Sequence, residues 1–178
     1  ILNKNQSTVF LKEKGMRIGF GGIGKGYAAD RAANLLKSKG VKSGIVNASG
    51  DLITWGNQPN GEPWTISLAH PDLPTKAFSK LNISNLAVAT SGNYEKFVVI
   101  DGKKYSHTIN PKTGYPVCGI KSVSIICPIA ELADALATPV TIMGVEAGLN
   151  LINQLNSVEC VIIDDNNHVY KSDNIKID

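Results

Sequence analysis

Apolar and polar positions along this chain fall mostly into short runs, and three stretches carry a helical period. Ser7–Lys12 and Met16–Phe20 are branched or alternating enough to predict strands around a Lys14-Gly15 turn. From Lys25 to Lys39, Ala28, Ala32, Leu35 and Leu36 recur on one helical face, Lys37 and Lys39 suit the negative C-terminal end, and Gly40 fits a left-handed stop. Gly44–Asn47 and Trp64–Ala69 are the next predicted strands, the second after a turn between Pro59 and Pro63. Leu86–Thr90, a hairpin of Lys96–Ile100 with Lys104–His107 across Asp101-Gly102, and the branched run Ser122–Cys127 make the middle β-rich. Helices are predicted over Ile129–Thr138, ended by the backbone bias ahead of Pro139, and over Val145–Leu155. A closing hairpin uses Glu159–Asp164 and Val169-Tyr170. Hairpins interleaved with a few helices predict an α+β, sandwich-like fold with a mixed, mainly antiparallel sheet rather than a βαβ array.

Length and composition narrow the class without naming a function. The 178 residues are enough for one self-supporting core, and 43% apolar with 19% charged residues describes an ordinary globular chain. A formal charge of +3 is spread over scattered lysines and arginines, with no basic cluster beside stacking aromatics, so a nucleic-acid partner is not expected. Cys118, Cys127 and Cys160 are too few and too widely spaced for a zinc motif, and an odd count cannot pair completely. No apolar run approaches the roughly 20 residues of a membrane span. The chain starts at Ile1, without an initiator Met, so the compartment is not readable from its first residues.

Candidate chemistry begins at Gly19-Phe20-Gly21-Gly22-Ile23-Gly24-Lys25-Gly26, which satisfies the dinucleotide fingerprint and most of a P-loop. Gly26 stands where a P-loop needs a magnesium-binding hydroxyl, and the strands that follow do not make a Rossmann pattern. What remains is backbone able to approach a phosphate or ion closely at a helix N-terminus, with the charge of Lys25 beside it; the bland alternative is a tight strand-to-helix turn. Asn47-Ala48-Ser49-Gly50-Asp51 sets polar side chains after a strand, as a ligand loop or an Asx turn. Thr90-Ser91-Gly92-Asn93-Tyr94 offers hydroxyls and amides to a phosphate or flavin edge. A serine nucleophile is not expected, because no G-x-S-x-G elbow or Ser-x-x-Lys occurs. His107 lies in a polar loop stiffened by Pro111 and Pro116 and is suited to proton transfer. Asp134 and Thr138 are four residues apart on one helical face, hard oxygen donors that suit magnesium or calcium if they do more than cap and end a helix.

In this order the segments resemble the FAD:protein FMN transferase (ApbE-like) family, over a stretch from about Arg17 almost to the C-terminus. Gly21–Asp30 is similar to the family's glycine loop and helix, Asn47–Asp51 to its polar loop, Thr90–Tyr94 to its TSG-x-Y segment, Ser106–Gly114 to its SH-x-x-x-P-x-TG segment, and Ala133–Thr138 to its metal helix. The resemblance implies FAD as substrate and Mg2+ as cofactor, with Lys25, Thr108 and Ile109 at the flavin nucleotide and His107 assisting transfer. Asn47, Ser49, Asp51, Thr90 and Ser91 join the flavin site by the same likeness, as does Gly19, where many members carry an acidic residue. The implied magnesium ligands are Asp134, Thr138 and the main-chain oxygens of Gly22 and Ala137. The implied reaction moves FMN from FAD to a Ser or Thr hydroxyl of an acceptor flavoprotein and releases AMP. Hydrolysis of FAD to FMN and AMP, or non-catalytic FAD binding, are the alternatives. Members usually extend upstream, so residues 1–178 are expected to be a single domain or the C-terminal portion of a longer one. The family also implies a bacterial periplasm or another extracytoplasmic membrane face, often with a lipid anchor upstream.

Overall fold

In the computed structural model, residues 1–70, 72–92 and 97–175 are described, with the side chains of residues 70, 73–77 and 103–104 left aside. The chain opens with a small ladder of β1 (Leu2–Asn3) and β2 (Thr8–Val9), then enters helix α1 (Gly24–Ser38). Strands β3 (Gly44–Ala48), β4 (Asp51–Trp55), β5 (Trp64–His70), β6 (Leu73–Ile83), β7 (Ala87–Gly92), β8 (Phe97–Ile100), β9 (Lys103–Ser106) and β10 (Ile120–Cys127) follow. Helices α2 (Ala130–Met143) and α3 (Val145–Asn153) precede the last hairpin, β11 (Glu159–Asp164) with β12 (Val169–Lys171). Six strands form the central sheet in the order β12-β11-β10-β7-β4-β3, while β5-β6 and β8-β9 are separate hairpins. Every strand pairing among the described residues is antiparallel, as expected for an α+β fold.

The period-2 alternation of the central strands sorts their side chains to two faces. Ala89, Val123, Ile125, Cys127, Cys160 and Ile162 face α2 and α3, with Ala133, Ala137, Val140 and Ile152 coming down from the helices. Val88, Ile126 and Val161, one position over, face the β5-β6 hairpin and meet Ile66, Leu68, Leu81 and Ile83. Helix α1 closes the β3-β4 end through Ala29 and Ala33, set against Ile53, Trp55 and Ala87. The molecule is thus layered as helices, sheet and hairpin.

Several expectations are corrected. Only Thr8–Val9 of the expected strand Ser7–Lys12 is extended and paired, its partner being the unexpected β1. Met16–Phe20 forms no strand; Met16, Ile18 and Phe20 are exposed and have no neighbouring strand among the described residues. Asp51, expected to end a polar loop, begins the fully buried strand β4. Strand β6 was not expected, and Lys96, Asn93 and Tyr94 lie outside the described residues.

The most informative correction concerns Pro139, which sits inside α2 instead of ending it. Its missing N–H leaves the carbonyl of Ala135, four residues back, without a helical donor. The helix continues because Ala130, Ala133, Asp134, Ala137, Val140 and Thr141 form one buried stripe that further turns extend onto the sheet. Thr141 also donates its hydroxyl to the carbonyl of Ala137 at 2.8 Å, so that carbonyl is engaged by a side chain and not left free by the proline.

Candidate functional site

Helix α1 begins at the glycine-rich turn, and its first turn lies directly against α2. A Cβ added to Gly26 would stand 2.2 Å from the Ala130 carbonyl oxygen and 2.8 Å from the Asp134 Cβ, so only glycine fits there. The close approach lets the Gly26 amide, one of the N–H groups that a helix start leaves without a partner, donate to Asp134 Oδ2 at 3.0 Å. The reverse end is tied as well. Asp30, one turn further along α1, accepts the amides of Ala130 and Glu131 at 3.2 and 2.9 Å and caps α2, whose own N-cap residue Ile129 has no side-chain cap. Asp30 was seen in the sequence only as the end of a motif; a carboxylate capping a helix from another helix has no local signature.

These contacts build one wall of a cleft of about 100 Å³. Gly21 and Lys25 come from the α1 turn, Asp134, Ala137 and Thr138 from α2, Asp51 from the start of β4, Thr90, Ser91 and Gly92 from the end of β7, and His107 from the loop after β9. Seven residues expected from the sequence therefore meet: Lys25, Asp51, Thr90, Ser91, His107, Asp134 and Thr138, with the main chain of Ala137 beside them. Gly22 is adjacent, since a Cβ on it would lie 3.7 Å from Thr138 Oγ1. Gly21 and Gly92 belong to the lining too, for the space their missing side chains leave.

Other expected residues lie elsewhere. Asn47 accepts the Gly50 amide at 2.8 Å and Ser49 takes a positive φ of 57°, so both shape the β3-β4 turn and border a neighbouring hollow under β5. The Asx-turn reading holds for Asn47. Thr108 is buried, its amide donating to Ser106 Oγ at 3.0 Å, whereas Ile109 is exposed and bridges to Pro116; neither lines the cleft. Gly19 is exposed and outside the lining. Cys127 and Cys160 are buried free thiols and Cys118 is exposed, and none of them is in the lining; burial pushes Cys160 up to about 12.

Electrostatically the cleft turns on Asp51. Its side chain is almost wholly buried and its Oδ2 accepts no well-aligned hydrogen bond, although Lys25 Nζ stands 3.0 Å away as an ion pair. Burial raises the carboxyl from its ordinary 3.8 to about 6, Lys25 pulls it down, and the neighbouring carboxyl of Asp134 pushes it up again. A carboxyl whose pKa is higher folded than unfolded keeps its proton longer in the native state. Stability from this group is then fullest below about 3.8 and falls as pH rises through about 6. Asp51→Asn is expected to flatten that part of the profile and to be no less stable than the parent at pH above 6. Thermal melts on both sides of the interval check this; an undiminished fall in the variant would assign it to other groups.

Among the described residues, no three His, Cys, Asp or Glu side chains cluster as metal ligands. The oxygen donors here are instead two carboxylates, hydroxyls and main chain. No helix among them is long and apolar enough to cross a membrane.

The chain is similar to known proteins in both sequence and fold. Residues 1–162 match the model of the ApbE family. An FAD:protein FMN transferase of Klebsiella pneumoniae is 32% identical over 174 residues, 97% of this chain and 53% of the relative. A protein of the same name from Haemophilus influenzae is 28% identical over 96% of this chain and 50% of its own length. Among solved structures, the ApbE protein of Thermotoga maritima superposes with a TM-score of 0.88 at 32% identity, over 97% of this chain and 56% of that one. The apo flavinyl transferase ApbE of Pseudomonas stutzeri gives 0.76 at 30% identity, over 88% and 49%. The chain spans about half the length of the relatives it matches. With a match that runs through α1, the Asp51 strand, the His107 loop and α2, this chain belongs to the ApbE family.

Proposed function

We propose that this chain forms the phosphate-handling half of a flavin transferase, which moves FMN from FAD to a hydroxyl of an acceptor flavoprotein and releases AMP. The observation that carries the reading is the convergence in one cleft of Lys25, Asp51, His107 and the α2 pair Asp134 and Thr138, from four separate places in the sequence. The names of the relatives, FAD:protein FMN transferase and flavinyl transferase, support the substrate class.

The residues present fit magnesium. Asp134, the Thr138 hydroxyl and the main-chain oxygen of Gly22 are hard oxygen donors beside a buried carboxylate oxygen without a hydrogen bond, whereas the Ala137 oxygen, proposed as a ligand too, already accepts the Thr141 hydroxyl. Bound there, the ion would offset negative charge on the pyrophosphate. Lys25, at the positive end of α1, would hold a phosphate oxygen. Ser91 and the backbone at Gly92 would donate to the same group. His107, also in the lining, would take the proton of the attacking Ser or Thr hydroxyl. Thr90 is already bonded to Ser124 at 2.8 Å and would act by shaping the floor.

The test is incubation of the full-length protein with FAD, Mg2+ and an acceptor flavoprotein, with covalent FMN followed by mass and fluorescence. Mg-dependent flavinylation with AMP release is the expected result. FMN released without an acceptor would select the hydrolase, and FAD binding without turnover a flavin-binding module. The family's extracytoplasmic setting is proposed with the activity, and fractionation of cells that make the protein checks it.

A further inference from the structure

We propose that Asp51 is itself an oxygen ligand of the cation site, and that its pairing with Lys25 is a placeholder that a divalent cation displaces. The inference deepens the reading above and rests on its claim that the cleft binds such a cation.

Four observations carry it. Asp51 is 1% exposed, and its Oδ2 faces the cleft without an aligned hydrogen bond, which is costly for a permanent structural ion pair. It lines the same cleft as Asp134 and Thr138. The two carboxylates and the one ammonium leave a negative charge that calls for a second cation. Finally, the Lys25 side chain is 40% exposed, so it can leave Asp51 at little cost in packing.

Charge and geometry then divide the labour. Asp134 is oriented by the Gly26 amide, which occupies Oδ2 and aims the rest of the carboxylate into the cleft. Asp51 approaches from the sheet side, at the start of β4, and Thr138 from α2. When a cation takes the Asp51 carboxylate, Lys25 is released to turn to a phosphate oxygen. Ion and phosphate binding are thereby coupled through one lysine.

The inference separates from a purely structural ion pair by the sign of the Lys25 effect. Mn2+ uptake is measured by electron paramagnetic resonance, without flavin, on the full-length parent and on Asp51→Asn, Lys25→Met and Asp134→Asn, each checked for folding by thermal melt. Asp51→Asn should weaken Mn2+ binding by at least the roughly tenfold that loss of even a supporting group costs a metal site. Lys25→Met should tighten it, because a competing positive charge is removed. If Asp134→Asn weakens uptake while Asp51→Asn and Lys25→Met leave it unchanged, the cation site stands and the role of Asp51 falls. A parent that takes up no Mn2+ overturns both.

Discussion

Gly26→Ala is expected to lower stability by on the order of 3 kcal/mol, although alanine is the better helix former. Propensity alone would favour the change by about 1 kcal/mol. The added methyl, however, would sit 2.2 Å from the Ala130 oxygen and 2.6 Å from its carbonyl carbon, both backbone atoms of a helix start that cannot step aside. Overpacking of this kind costs about 1–3 kcal/mol or more. Here it also pushes α1 away from α2 and breaks the Gly26–Asp134 and Asp30–Ala130 hydrogen bonds, which depend on the same approach. For a chain of this size the melting midpoint should drop by about 10 °C. Gly22→Ala is the control, since its methyl meets only Thr138 Oγ1 at an ordinary 3.7 Å and should leave the midpoint nearly in place. Equal melts for Gly26→Ala and the parent would show that α1 and α2 are not packed as described.

The second large effect is on rate. His107→Ala should reduce FMN transfer by about 10²–10⁴-fold, the usual share of a general base. FAD affinity should change little, because Lys25 and Ser91 remain in the lining. His107 is exposed, so the variant should fold as the parent does. A rise in transfer toward the parent's when the reaction is run at higher pH would support proton acceptance, since hydroxide can then do part of the work. An unchanged rate at every pH would place the proton elsewhere, and a loss confined to FAD binding would make His107 a flavin contact.

The sequence was most informative where chemistry and local geometry coincide. The helix after the glycine loop, the hairpin at Asp101-Gly102 and the closing hairpin all follow from period and turn residues within a few positions. Site residues were legible as types at loop and helix positions, and most of the expected set meets in the cleft. Strand β4 was missed because it is buried on both faces, so its residues do not alternate and Asp51 looks like a turn residue. Met16–Phe20 misled in the opposite way, alternating convincingly but finding no partner strand.

By itself the sequence determined the α+β class, the helix that opens on glycine and lysine, and the oxygen, hydroxyl and imidazole inventory of the cleft. Those depend on residue type and on neighbours a few positions away. Tertiary structure alone decided that α2 runs through Pro139, that Asn47 and Ser49 serve a turn, and that Asp134 turns its carboxylate to an amide 108 residues earlier. It also decided that Lys25 and Asp51 become partners, the lysine partly exposed and the carboxylate buried. The reason is physical: burial sets the strength of a charge and packing overrides local backbone preference, and neither exists until distant segments have come together.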